Sequence, residues 1–94
     1  MAGQQTIVVW DLCVERIRVM EANLRMAMRA LGIRALVQFN SEEPLLSRHN
    51  LIGRTPAVQV NGGGLWHCAV GETISKEAFI SLFTHLRELQ LLEF

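Results

Sequence analysis

Cys13 and Arg16 stand one helical turn apart, where a β-like run gives way to a helical period. A cysteine there can do nucleophilic chemistry, because the thiolate is the reactive form and a helix N-terminus favours it. Unpaired backbone N–H groups and the positive end of the helix dipole supply that effect. Arg16, on the same side of the turn, adds a second positive charge. Asp11 and Glu15 act in the opposite direction. A second reading stays open, in which Cys13 is a small apolar filler of the first turn, since free cysteine is among the most buried residue types. Cys68, the other cysteine, falls in an apolar run whose alternation places it with Trp66 and Val70, so it is expected packed rather than paired. His67, Cys68 and Cys13 offer at most three soft ligands without spaced Cys/His pairs, and no metal is expected. His49 and His85 have no acid or nucleophile at a recognisable spacing and read as surface residues. Gly62-Gly63-Gly64 lies between two β runs, whereas a phosphate loop must open a helix.

The elements that must position these groups follow from periodicity. Thr6–Trp10 is a short buried strand of β-branched and aromatic residues. From about Cys13 to Leu31 the apolar residues Ile17, Met20, Leu24, Ala27 and Leu31 recur at steps of three and four, one face of a helix closed by Gly32. Arg16, Arg18, Arg25 and Arg29 give its wetter side a basic character, either a solvated face or a surface for carboxylates. Val19, Met26 and Met28 lie off the main stripe, where they either widen it or mark a homodimer contact. Arg34–Phe39 is a second strand, parallel to the first through a right-handed crossover. Ser41 is the expected N-cap of a short helix reaching His49–Asn50, with Pro44 in its first turn. Ala57–Val60 and Leu65–Val70 form a hairpin around Asn61–Gly64. Ser75 caps a final helix with Phe79, Leu82, Phe83, Leu86 and Leu89 on one face. The order is β-α-β-α-β-β-α, one α/β domain over residues 1–94.

Composition narrows the classes. The 94 residues are 50% hydrophobic and 19% charged, too apolar for disorder. Nine basic against nine acidic side chains leave no net charge, so no footprint for nucleic acid or an anionic membrane is present. No apolar run is long enough to span a bilayer. Residues Met1 to Thr6 lack the pattern of a signal peptide, which makes a cytoplasmic location the expectation.

The element order, together with Arg54-Thr55-Pro56-Ala57-Val58-Gln59-Val60-Asn61-Gly62, resembles the thioredoxin-like superfamily. A Thr-Pro step opening a strand is similar to that family's cis-proline signature, and Leu51-Ile52-Gly53 to its apolar lead-in. Gly71 and the Ser75-capped helix look like the family's last-strand glycine and final helix. The similarity is to the small, glutaredoxin-sized redox-active disulfide proteins, over roughly Thr6 to Leu89. It implies a four-stranded mixed sheet flanked by helices. It also implies a cis Thr55–Pro56 bond, with the backbone groups of Thr55 left free for a thiol-bearing substrate. Trp10, Thr55, Pro56 and Gly71 are then the substrate-binding residues, beside Cys13 and Arg16 as catalytic ones. Where the family carries Cys-x-x-Cys, this chain reads Cys13-Val14-Glu15-Arg16. Without the resolving thiol the local dithiol cycle cannot run. The resemblance therefore implies a monothiol protein with no cofactor, whose partner is a thiol-containing protein or glutathione as co-substrate. The other implied role is a redox-inactive module that binds a protein or peptide.

Overall fold

The computed structural model describes residues 3–94. Its elements are β1 (Thr6–Trp10), α1 (Val14–Leu31), β2 (Leu36–Asn40), α2 (Glu43–Arg48), β3 (Ala57–Val60), β4 (Leu65–Trp66) and α3 (Lys76–Glu88). The strands form one sheet in the order β2-β1-β3-β4. β1 and β2 are parallel, in register from Thr6↔Leu36 to Trp10↔Asn40. β3 runs antiparallel to both β1 and β4.

Alternation along the strands divides the apolar residues between two faces. Ile7, Val9, Val58 and Val60 join Met20, Leu24 and Ala27 of α1 and Phe79, Phe83 and Leu86 of α3 in the main core. The Phe79 and Phe83 rings stack with centroids 5.7 Å apart. On the opposite face Trp10 and Ala57 pack with Leu46 of α2 and Leu51. The long helix ends as its sequence requires: Gly32 adopts φ 72°, and the Ile33 N–H reaches the Met28 carbonyl at 2.9 Å. Ser75 caps α3, its Oγ accepting from the Ala78 N–H at 3.1 Å.

Four boundaries differ from the sequence reading. β2 begins at Leu36 rather than Arg34. α2 is capped at Glu42 rather than Ser41, and the Asn40 Oδ1 accepts from the Glu42 N–H at 3.1 Å. β4 stops at Trp66 instead of running to Val70. Continuing the register Val58↔Trp66 would set Pro56 opposite Cys68, and proline has no N–H to give the ladder. The chain from His67 therefore leaves the sheet, and Cys68 is exposed rather than packed. Leu89 likewise stands half in solvent, because α3 ends at Glu88 and the chain turns through Gln90 at φ 62°. The turn is closed by Leu91 N–H to the Leu86 carbonyl at 2.8 Å, and Leu92 takes the buried position instead.

The last residues are held against the start of β1. The Gln5 carboxamide donates to the Glu93 carbonyl at 2.8 Å and accepts from the Glu93 N–H at 2.7 Å. Asn61 does the same for its neighbours, accepting from the Thr6 N–H at 2.9 Å and donating to the Leu91 carbonyl at 3.0 Å. No helix among the described residues is long and apolar enough to cross a membrane.

Candidate functional site

The C-terminal end of β1 leads into three groups of interest: Trp10, Asp11 and, after Leu12, the N-cap residue Cys13. Cys13 has the extended conformation of an N-cap (φ −86°, ψ 107°), its carbonyl accepts the first helical bond from Ile17 at 3.0 Å, and its thiol makes no capping bond. Its side chain is half-buried and free. The cap is instead supplied from two residues upstream, where the Asp11 Oδ1 accepts from the Cys13 N–H at 3.1 Å.

Asp11 is fully buried. A carboxylate removed from water needs both charge and hydrogen-bond compensation. Arg16 provides both in a bidentate arrangement, Nε to Oδ2 and Nη2 to Oδ1, each at 2.8 Å. Burial alone would raise the Asp11 pKa. The Arg16 hydrogen bonds, the Cys13 N–H, the Arg16 charge and a smaller contribution from the Thr55 hydroxyl outweigh it and hold the carboxyl below its ordinary value. The same bonds, against some desolvation, push the Arg16 guanidinium further above its own, and the nearby Cys13 adds a smaller push.

The free edge of Arg16 continues the chain of contacts. Its Nη1 donates to the Gly71 carbonyl at 3.2 Å, and the Gly71 N–H donates to the Thr55 carbonyl at 2.8 Å. Gly71 has φ 80°, a conformation that favours glycine. The Thr55–Pro56 bond is cis. Cys13, Asp11, Arg16, Gly71 and Thr55 are thus linked hydrogen bond by hydrogen bond, across segments far apart in sequence. The Thr55 carbonyl, expected free, is engaged by Gly71, while no hydrogen bond from the Thr55 N–H is present among the described residues.

The structure brings Cys13, Arg16, Gly71, Thr55 and Pro56 together, with Arg16 turned to Asp11 rather than left as an unneutralised charge beside the thiol. Trp10 is buried on the α2 side, its Nε1 without a partner and its ring 4.9 Å from that of His49. His85 similarly sets its ring edge-on to Trp66 at 5.8 Å. Cys68 takes no part in the linked group, and desolvation raises its thiol pKa. No cluster of three metal-binding side chains occurs among the described residues.

Two features escaped sequence reasoning. In the sequence Asp11 reads only as a nearby charge, although a carboxylate between a buried strand and a helix start, five residues before an arginine, is the signal for a buried pair. The second is a set of exposed apolar residues that border the linked group in sequence, its apolar rim: Leu12 and Val14 beside Cys13, Ile52 before Thr55, and Val70 before Gly71.

No family model matches the chain, and no curated protein is significantly similar to it. Among solved structures it is similar to the J-Trx1 fragment of ERdj5, with a TM-score of 0.53 and 17% identity. The match covers 90% of this chain and 44% of that one, so the chain spans less than half the length of that structure. The likeness shows the fold: four mixed strands flanked by helices in the thioredoxin arrangement.

Proposed function

We propose that the protein is a monothiol thiol–disulfide protein acting through Cys13. The observation that carries this reading is the position of that thiol. It stands at the N-cap of α1, free of any capping bond, on a segment tied through Asp11, Arg16 and Gly71 to the Thr55–Pro56 loop. In the first step the Cys13 thiolate attacks one sulfur of a substrate disulfide, forming a mixed disulfide and releasing the other sulfur as a thiolate. An external thiolate such as that of glutathione then attacks the substrate sulfur of the mixed disulfide, forming a glutathione–substrate disulfide and releasing Cys13 as the thiolate. Thr55 offers its N–H to the substrate backbone. Pro56 and Gly71 shape the loop beside it, and buried Trp10 supports that loop from below. Arg16 acts as a positioning residue, holding Asp11 and Gly71 in place. No cofactor is required. The reading calls for a reducing compartment that supplies glutathione, as the cytoplasm does.

A second reading, a redox-inactive module for a protein or peptide, is favoured by the exposed rim of Leu12, Val14, Ile52 and Val70. Intact-mass analysis of the Cys68→Ala protein exposed to oxidised glutathione separates the two. A glutathione adduct on folded Cys13, removed by reduced glutathione and absent from Cys13→Ser, is the expected result. An adduct that forms only after denaturation ends the monothiol reading and leaves the binding module.

A further inference from the structure

β2 is one of the sheet's two edge strands, and no other strand covers its far side among the described residues. Edge strands of soluble proteins are commonly blunted by charge, proline or a covering element. Leu36-Val37-Gln38-Phe39-Asn40 has neither charge nor proline, and Leu36 is 59% and Val37 37% exposed.

Backbone direction shows which groups face outward. The Arg34 carbonyl accepts from the Gln5 side chain, the Leu36 N–H donates to the Gln5 carbonyl, and the Asn40 carbonyl accepts from the Asp11 N–H. Even-numbered residues therefore turn their peptide groups toward β1. Val37 and Phe39 turn theirs away, so each presents one donor and one acceptor to solvent.

We propose that β2 pairs antiparallel with β2 of a second copy of this chain, about a two-fold axis at Gln38. In that register Val37 lies opposite Phe39 of the second copy, and each such pair exchanges two bonds, about four backbone hydrogen bonds in all. Gln38 meets itself, and Leu36 meets Asn40. Beyond the strand ends the same register sets Arg34 opposite Glu42, twice by symmetry. Both are exposed, and neither has an ion-pair partner among the described residues. Centring the axis on Val37 would place Arg34 against Asn40, and centring it on Phe39 would place Glu42 against Leu36. The Gln38 register alone makes the charges complementary, and this selects a second copy over an unrelated peptide. Cys13 takes no part in this pairing, so the dimer stands or falls independently of the thiol chemistry.

Sedimentation equilibrium of the full chain tests the proposal. A monomer–dimer equilibrium is expected, with Glu42→Arg or Arg34→Glu weakening the dimer about tenfold through two exposed pairs. The Arg34→Glu/Glu42→Arg double variant restores it. Hydrogen exchange should show the Val37 and Phe39 amides protected only at concentrations where the dimer forms. A monomer at every concentration overturns the proposal. So does a dimer indifferent to both single reversals, as contact through Val19 and Met26 would give, or one that captures an extended peptide on β2 instead of its own copy. All three variants change exposed residues, and circular dichroism is the check that each is folded.

Discussion

Replacing Arg16 by methionine would remove the charge that compensates Asp11 while keeping most of the side chain's apolar bulk. The carboxyl would stay buried with the Cys13 N–H and a weaker Thr55 contact. Breaking a buried ion pair by deleting one member costs about 3–5 kcal/mol. Arg16 is 25% exposed, so water can reach the vacated space, and the lower end, about 3 kcal/mol at pH 7, applies. In a domain of this size that lowers Tm by roughly 12–24 °C. The pH dependence makes the test sharper. In the parent protein Asp11 has a folded-state pKa below its ordinary 3.8, so its stabilising contribution is present above that value and fades as pH falls through the folded pKa. Without Arg16, desolvation dominates and the folded pKa rises above the unfolded one. The variant then gains stability by protonation, is most stable at acid pH and loses stability as pH climbs through the raised pKa. The difference between the two proteins should widen as pH climbs from about 4 and level off above the raised pKa. Urea unfolding of both proteins across that interval measures it, and Asp11→Asn in the Arg16→Met background should flatten the slope. A cost under about 1 kcal/mol at pH 7, or one that does not change with pH, would refute the assignment of Arg16 as the partner of a buried carboxylate.

Two further outcomes follow from local geometry. In the Cys68→Ala background, Cys13→Ser should abolish the glutathione adduct yet raise stability by about 0.5–1 kcal/mol, because serine caps a helix and the thiol does not; a lower urea midpoint would contradict the N-cap geometry. Gly32→Ala should cost about 1 kcal/mol by thermal unfolding, since the position has φ 72° with open space around it and the penalty is purely conformational.

The parts of the fold legible in the sequence are those set by local signals. The period of Met20, Leu24 and Ala27, Gly32 at the end of α1 and Ser75 at the start of α3 each carry their own physical reason within a few residues. Boundaries set by partners across the sheet were not legible. His67 to Val70 alternates like a strand, but its fate depends on Pro56, twelve residues before Cys68 and lacking a donor. Leu89 continues the apolar face of α3, yet the turn at Gln90 hands its buried place to Leu92. At the site, Cys13, Thr55, Pro56 and Gly71 could be named from the sequence pattern. The destination of the Arg16 guanidinium could not. Thiol and carboxylate stand at similar sequence distance from it, and only the burial of Asp11 decides between them.

The clamp that Gln5 places on Glu93 has a consequence for architecture beyond this domain. Residues 88 apart in sequence sit side by side, so the polypeptide leaves the fold where it enters. A module with this geometry can be spliced into a surface loop of a host protein without forcing the host's chain apart, or permuted by a short bridge across that seam. New ends would open at Gly62–Gly64, where the chain is exposed and takes no part in the hydrogen-bonded group of Cys13, Asp11, Arg16, Gly71 and Thr55.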